Sequence, residues 1–314
     1  MDAFLSIVVP TRNRADKLRV CLESLLAQDF PADRYEIVVV DDGSTDTTLE
    51  VAASLVNPAC GAALTVLAQD HRGGNRARNV GLAVSRGDPV CVVDDDVEVP
   101  PTWLAAMAEA FERYPNADAF AGRVRVRVEN PRWRGCRQHP VAASLELGVR
   151  DADVPSAVGA NMALRRRALD KVGRFDEWVI AGEETEWFDR LSAAGGTTMY
   201  VGQASVWHRR DKHDVRLLPL LRSSFRRGVA THRYFLRIGR RDIGRYASRA
   251  ALTYLRAAIR ERCWGALANA AVQAGYAYGL FRHRRVVPPP PRLWDAPAPQ
   301  EWTVVNRRRN PRSS

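Results

Sequence analysis

Two hydrophobic rhythms alternate along the first part of the chain. Residues 5–9, 36–40, 64–67 and 90–93 are short apolar runs rich in Val and Ile, the mark of strands buried on both faces. Between them apolar positions return every third or fourth residue. Leu18, Cys21, Leu22, Leu25 and Leu26 predict a helix over 15–28, and Ala77, Val80 and Ala83 another over 75–84. Asp46 can cap a helix running to about residue 55, and Thr102 one running to 114. Strands alternating with helices of this length predict βαβ units, and so an α/β fold with a mostly parallel sheet covered by helices on both faces.

After residue 120 the rhythm changes. Val124, Val126 and Val128 alternate with Arg123, Arg125 and Arg127, a period-two pattern expected of an edge or half-exposed strand. Residues 130–160 are irregular and carry Pro131, Pro140 and Pro155. A helix over 185–194, closed by Gly195 and Gly196, leads into a strand over 197–201. From about residue 215 the pattern is helical and basic. Leu217, Leu218, Leu221, Phe225 and Val229 form one apolar stripe, which Tyr246, Leu252, Leu255 and Ile259 continue in the next segment. Residues 286–314 open on Pro288–Pro291 and predict a disordered or extended tail rich in Pro and Arg.

The chain has 314 residues and a formal net charge of +11, unevenly spread. Residues 1–208 hold 23 Lys and Arg against 30 Asp and Glu; residues 209–314 hold 24 against 6. An acidic body thus precedes a strongly basic C-terminal third. The five cysteines are scattered and form neither a CxxC pair nor a Cys/His cluster, so a zinc site or disulfide framework is not expected and a reducing cytoplasm fits. Residues 5–9 are too short, and lack the basic flank, for a signal peptide. Residues 263–281 hold no charge, but their Ala, Gly, Asn269 and Gln273 favour a buried or interfacial helix over a membrane span.

Chemistry concentrates where the strands end. Asp94, Asp95 and Asp96 follow the run 90–93 at its carboxyl end, the edge at which open α/β sheets bind ligands. Strand alternation points Asp94 and Asp96 one way and Asp95 the other, and two convergent carboxylates suit a hard divalent cation held with a phosphate. Three further segments end successive strands: 10–14, 41–46 and 73–79. Asp41 or Asp42 can accept a uracil imide N–H or a ribose hydroxyl, glycines allow close backbone approach, and Arg76 or Arg78 can neutralise phosphate at a helix N-terminus.

In this order the segments resemble the family 2 glycosyltransferases of GT-A fold. The resemblance rests on Pro10-Thr11-Arg12-Asn13-Arg14, Asp41-Asp42-Gly43-Ser44, Ala77-Arg78-Asn79 and Asp94-Asp95-Asp96. It continues through Gly159-Ala160-Asn161, Gly173-Arg174-Phe175-Asp176 and Gly182-Glu183-Glu184. It implies a nucleotide-sugar donor, UDP-linked by family habit, a Mn²⁺ or Mg²⁺ ion, and inversion at the anomeric carbon. Pro10, Thr11, Arg12 and Asp41 or Asp42 then form the nucleoside pocket, with Arg78 near base or phosphate and Asp95 and Asn161 on the donor side. Asp96 becomes a metal ligand, Asp94 faces ribose or metal, and His208 reaches metal or diphosphate unless it is a packing histidine. Where the family usually has Glu-Asp this chain has Glu183-Glu184. Glu184 becomes the base that deprotonates the acceptor, one methylene longer than usual, with Glu183 or Glu186 as substitutes. Trp178 and Trp187 either stack on an acceptor sugar or belong to the core.

The resemblance covers roughly residues 5–210 and divides the chain accordingly. A GT-A domain spans 1–210, with a nucleotide half to about 100 and an acceptor half over 101–210. A basic helical extension follows at 211–285, and the tail at 286–314. The extension lacks the signature of any nucleic-acid module, so nucleic acid is not expected. Its arginines suit an anionic membrane surface at the inner face of a cell membrane, or the acidic body itself. A lipid-linked or small glycoside acceptor would fit. The competing readings are a sugar-nucleotide nucleotidyltransferase and a non-catalytic nucleotide-sugar binding protein. The first is disfavoured because residues 5–9 lead into Pro10-Thr11-Arg12 rather than a Gly-rich phosphate loop.

Overall fold

The computed structural model describes residues 4–56, 62–130, 133, 141–179, 183–237, 244–282 and 302–307. Strands β1 (Leu5–Thr11), β2 (Tyr35–Asp42), β3 (Ala63–Gln69) and β4 (Val90–Val92) alternate with helices α1 (Ala15–Leu26), α2 (Thr48–Ser54) and α3 (Gly74–Val84). After these come β5 (Val97–Glu98), α4 (Trp103–Arg113), β6 (Ala119–Glu129), β7 (Ala152–Asp153), β8 (Met162–Leu164), α5 (Arg166–Val172), α6 (Glu183–Ala193) and β9 (Thr198–Asp211). Three long helices, α7 (Leu217–Arg237), α8 (Gly244–Glu261) and α9 (Trp264–Arg282), precede a last strand, β10 (Trp302–Arg307).

One sheet holds these strands in the order β10-β3-β2-β1-β4-β8-β6-β9-β5, with β7 on β9. The strands of the nucleotide half, β3, β2, β1 and β4, are mutually parallel. Beyond β4 the sheet is mixed, with β8 antiparallel to both β4 and β6 and β9 parallel to β6. The α/β class and its covering helices are as the hydrophobic rhythm predicts.

Alternation along each strand builds two cores. Leu5, Ile7, Val9, Ile37 and Val39 face Leu18, Leu22 and Leu25 of α1 and Trp103 and Met107 of α4. Val8, Val38 and Val40 face Ala77 and Val80 of α3 and Trp187 and Phe188 of α6. Each fully buried Leu or Ile stabilises the fold by about 1.5–3 kcal/mol relative to exposure. Helix α3 lies close to β1 because Gly81 offers no side chain: a Cβ there would overlap Val8. That closeness brings the N-terminal turn of α3 to the carboxyl end of the parallel strands.

Three expectations are extended or corrected. The strand over 197–201 is the start of a much longer β9, which resumes after an irregularity and reaches Asp211. The half-exposed strand expected over 123–128 is found, as the second half of a longer β6 whose first half, Ala119–Ala121, lies inside the sheet between β8 and β9. Within the tail, residues 302–307 form β10, antiparallel to β3, so this part is ordered by the free edge of the sheet. Val304 and Val305 give that segment strand propensity, and the unpaired backbone of β3 gives it somewhere to bond. The remaining tail residues lie outside the described ones.

The basic extension packs on the body. Leu220 of α7, Val215 and Ala268 of α9 meet Val126 and Val128 of β6, and the Tyr234 hydroxyl of α7 donates to Asp189 of α6 at 3.0 Å. Helix α9 packs against both α7 and α8. Gly228 and Gly275 let the α7 and α9 backbones approach so closely that a Cβ at either would overlap the facing main chain. The uncharged stretch is therefore a protein-packed helix, and no helix among the described residues is long and apolar enough to cross a membrane.

Candidate active site

The carboxyl ends of β1, β2 and β4 and the middle of β9 converge on one cleft. Asp94, Asp96 and His208 each present a ligand atom there, all within 4.8 Å of one another. His208 pairs with Val97 across the β5–β9 ladder, which fixes its place beside the aspartates. Asp95 accepts from the Thr11 hydroxyl at 2.8 Å and from Arg14 at 3.0 Å. Asp94 and Asp96 converge as expected, but Asp95 stays beside Asp96, one Arg14 nitrogen serving both, because the triplet is a loop and turn beyond β4 and not strand.

Asp96 is 2% exposed, and its charge is held by positive groups. Arg14 Nη1 donates to Asp96 Oδ2 at 2.6 Å, and Arg210 Nη1 donates to the same oxygen. Burial works to raise the Asp96 pKa, but His208, Arg210 and Arg14 together hold it well below the usual carboxylate range. Asp95 goes the other way, pushed up by burial despite Arg14.

The donor set suits a divalent cation. His208 Nδ1 lies 3.0 Å from the Ala143 carbonyl, so the tautomer with hydrogen on Nδ1 leaves a lone pair on Nε2. In that tautomer Nε2 accepts from Arg210 Nη2 at 2.8 Å and lies 3.1 Å from Asp96 Oδ1, a buried oxygen. Arg210, which reaches both His208 Nε2 and Asp96 Oδ2, supplies the positive charge between the two groups, at the place a divalent cation would share with it. Two carboxylates and one imidazole are a donor set that a divalent cation can take.

Opposite the triplet, Arg78 Nη2 donates to Asp94 Oδ1 at 3.1 Å while its Nη1 donates to Asn75. Gly159 lies against both this guanidinium and Glu184: a Cβ on Gly159 would overlap Glu184 Oε1 and crowd Arg78 Nη2. Glu184, from the first turn of α6, therefore enters the same cleft as Asp94. Glu186 does not compete for its role, because Arg190 holds both its oxygens, at 2.6 and 2.9 Å. Gly182 and the Glu183 side chain lie outside the described residues.

Other expected site residues have structural duties. Asp42 accepts from Gln69, from the Arg72 and Gly73 amides, and pairs with His71, which commits both its oxygens to the loop after β3. Of the Asp41/Asp42 alternative, only Asp41 keeps acceptor capacity, its partners being the Ser44 amide and hydroxyl. Gly43 between them has φ +71, and its α-carbon region abuts the His71 backbone, so this turn requires glycine. Asn161 is fully buried and bonds the Trp103 indole and the Arg123 and Ala204 carbonyls, so its side chain is closed to any ligand. Trp187 is core, whereas Trp178 is 63% exposed. Pro10 is buried within β1, and Arg12 is exposed.

Sequence reasoning passed over Arg14 and Arg210. Arg210 had a legible signal: it lies two residues after His208, so a strand there puts both on one face. That signal was lost with the shortened β9.

The comparisons with known proteins agree with this geometry. The family described as Glycosyl transferase family 2 matches residues 6–173, and Glycosyl transferase family group 2 matches residues 90–258. Glycosyltransferase AglE of Haloferax volcanii is 26% identical over 193 residues, 61% of this chain and 62% of that protein. The pre-mycofactocin glycosyltransferase of Mycobacterium tuberculosis is 32% identical over 216 residues, 65% of this chain and 42% of that protein. The chain thus spans less than two thirds of either relative. Among solved structures, the mannosyltransferase PcManGT of Pyrobaculum calidifontis, in complex with GDP-Man and Mn²⁺, superposes with a TM-score of 0.64 at 20% identity, covering 90% of this chain and 89% of that one. TarS 1–349 of S. aureus in complex with UDP-GlcNAc gives 0.55 at 17% identity, covering 90% and 91%. With the family description spanning more than half of its residues, this chain belongs to glycosyl transferase family 2.

Proposed function

We propose that this protein transfers a sugar from a nucleoside-diphosphate donor to an acceptor hydroxyl, with inversion, using Glu184 as the base. The carrying observation is that Glu184, Arg78 and Asp94 meet around Gly159 although they come from α6, α3 and the end of β4. A base and a cation-binding group on opposite sides of one cleft is what in-line displacement at an anomeric carbon requires.

Asp94, Asp96 and His208 would hold a divalent ion, Mn²⁺ or Mg²⁺. Such an ion, when bound, acts as a Lewis acid that offsets charge on the departing diphosphate. The chain's own residues supply the rest. Arg14 and Arg210 add positive charge at the same place, and Arg78 screens Asp94 from Glu184. Asp41 remains to receive the base or ribose at the end of β2. Glu184 takes the acceptor proton as the hydroxyl attacks. The domain division read from the sequence stands as part of this proposal.

The neighbours named above bind GDP-Man and UDP-GlcNAc, which supports a nucleotide sugar without choosing its base. UDP-sugars go first in a screen. The test is Glu184→Gln, assayed for donor binding and for transfer or donor hydrolysis with Mn²⁺. Binding within twofold of wild type and turnover reduced by about 10²–10⁴ are expected. Turnover near the wild-type rate would place the base elsewhere.

A further inference from the structure

Helix α8 presents its large side chains the wrong way round for a packed helix. It meets α9 with small residues, Ala247 and Ala258 being buried. Its aliphatic side chains point outward: Leu252 is 56% exposed, Leu255 42% and Ile259 73%. The three recur at helical spacing and form one stripe, where the sequence pattern had them continuing the packed stripe of α7. Next to that stripe, Arg249, Arg256 and Arg260 are all exposed. Arg260 pairs with Glu261 at 2.8 Å, the only acidic residue of the helix. A solvated helix would not expose its largest aliphatic residues in a row, and a buried one would not line them with guanidinium groups.

We infer that the outer face of α8 is a docking surface for an anionic lipid bilayer, lying flat in the headgroup region. Apolar side chains enter the acyl boundary while arginines beside them keep their heads among the phosphates, and arginine stems suit that position because they are themselves apolar. Charge complementarity selects this occupant. A second copy of the chain docked face to face would set one arginine row against another. A neutral apolar partner would leave the guanidinium groups without counter-charge. These arginines are exposed in the folded chain, so their guanidinium groups are open to an anion from outside it. The inference does not depend on the proposed chemistry, because no residue of the cleft takes part.

The full-length protein is floated with vesicles of equimolar phosphatidylglycerol and phosphatidylcholine, and with vesicles of phosphatidylcholine alone. Binding to the anionic vesicles at low salt, weakened by added salt, and absent with the neutral ones, is expected. Replacing Arg249 and Arg256 together by Ala should weaken it about 25-fold, at roughly fivefold per charge. Leu252→Ser with Ile259→Ser should weaken it more than about tenfold, since apolar anchoring is lost. Ile259→Trp, which keeps an apolar anchor, should bind at least as tightly as wild type. All variants should melt within error of wild type, because the substituted positions are exposed. Failure of the wild type to float with anionic vesicles at low salt would overturn the inference. So would undiminished binding by the double Ser variant, or a dimer in sedimentation that Ile259→Ser dissociates.

Discussion

The catalytic body and the C-terminal helices treat charge and apolar surface in opposite ways. In the body, charges go inward. Asp95, Asp96, Arg78 and His208 are all nearly buried, and each is compensated by neighbours drawn from distant parts of the chain. Burying a charge costs several kcal/mol unless a partner is fixed beside it. Clusters of this kind concentrate where binding or catalysis uses them. In the helices, arginines go outward, and the interior is built from glycine and alanine, with main chain nearly touching main chain at Gly228 and Gly275. One region sets a polar centre between two apolar cores, and the other is joined by close backbone approach. The difference implies that single substitutions should separate function from stability in the body and should not do so between α7 and α9.

The largest expected effect is the loss of about 10²–10⁴ in turnover for Glu184→Gln at unchanged melting temperature, read by steady-state kinetics beside a thermal melt. Gly228→Val should do the reverse. Its side chain meets the Val272 carbonyl, so the helical layer should lose about 1–3 kcal/mol or more in denaturant titration. If Gly228→Val were as stable as wild type, the helices would not pack as described.

Asp118 sharpens the comparison from inside the body but away from the cleft. It accepts from Arg167 at 3.0 Å, Lys171 at 3.2 Å and the Thr197 amide at 3.1 Å. Burial opposes its ionisation, but the Thr197 amide, Lys171 and Arg167 outweigh it and lower its pKa. A carboxylate with a depressed folded-state pKa contributes stability that is fully present above its unfolded value, about 3.9, and is lost as pH falls below it. Asp118→Asn should therefore cost about 1–3 kcal/mol at neutral pH, and the gap to wild type should close below about pH 4. A gap independent of pH would assign the loss to packing instead of charge. The smallest effect belongs to the outer face of α8, where Ile259→Ser should change stability by less than about 0.5 kcal/mol while altering vesicle binding.

What the sequence makes legible follows the same division. Strands β1 to β4 and helices α1, α3 and α4 are visible because each buries a continuous or strictly periodic apolar set. The place of Asp94–Asp96 is visible because a buried apolar run ends directly before the three acids. Less visible is anything set by tertiary pairing. Arg14 reaches the triplet only because Asn13, at φ 52, turns the chain after β1. Asp42 is sequestered by a loop thirty residues away, and Asn161 by an indole from α4. β10 depends on a free edge that no local pattern records. In α8 the apolar stripe is evident, but its direction is decided by which face α9 accepts, and α9 accepts alanine.

The account stands on Asp94, Asp96 and His208 forming one metal centre in the cleft that contains Glu184. Pulsed electron paramagnetic resonance of Mn²⁺ added to the full-length protein reports its ligands directly. The wild type should show bound Mn²⁺ with a nitrogen coupling from an imidazole. His208→Ala should lose that coupling and Asp96→Asn should lose the bound ion. A wild-type spectrum of hydrated Mn²⁺ alone, or an imidazole coupling that survives His208→Ala, would contradict it.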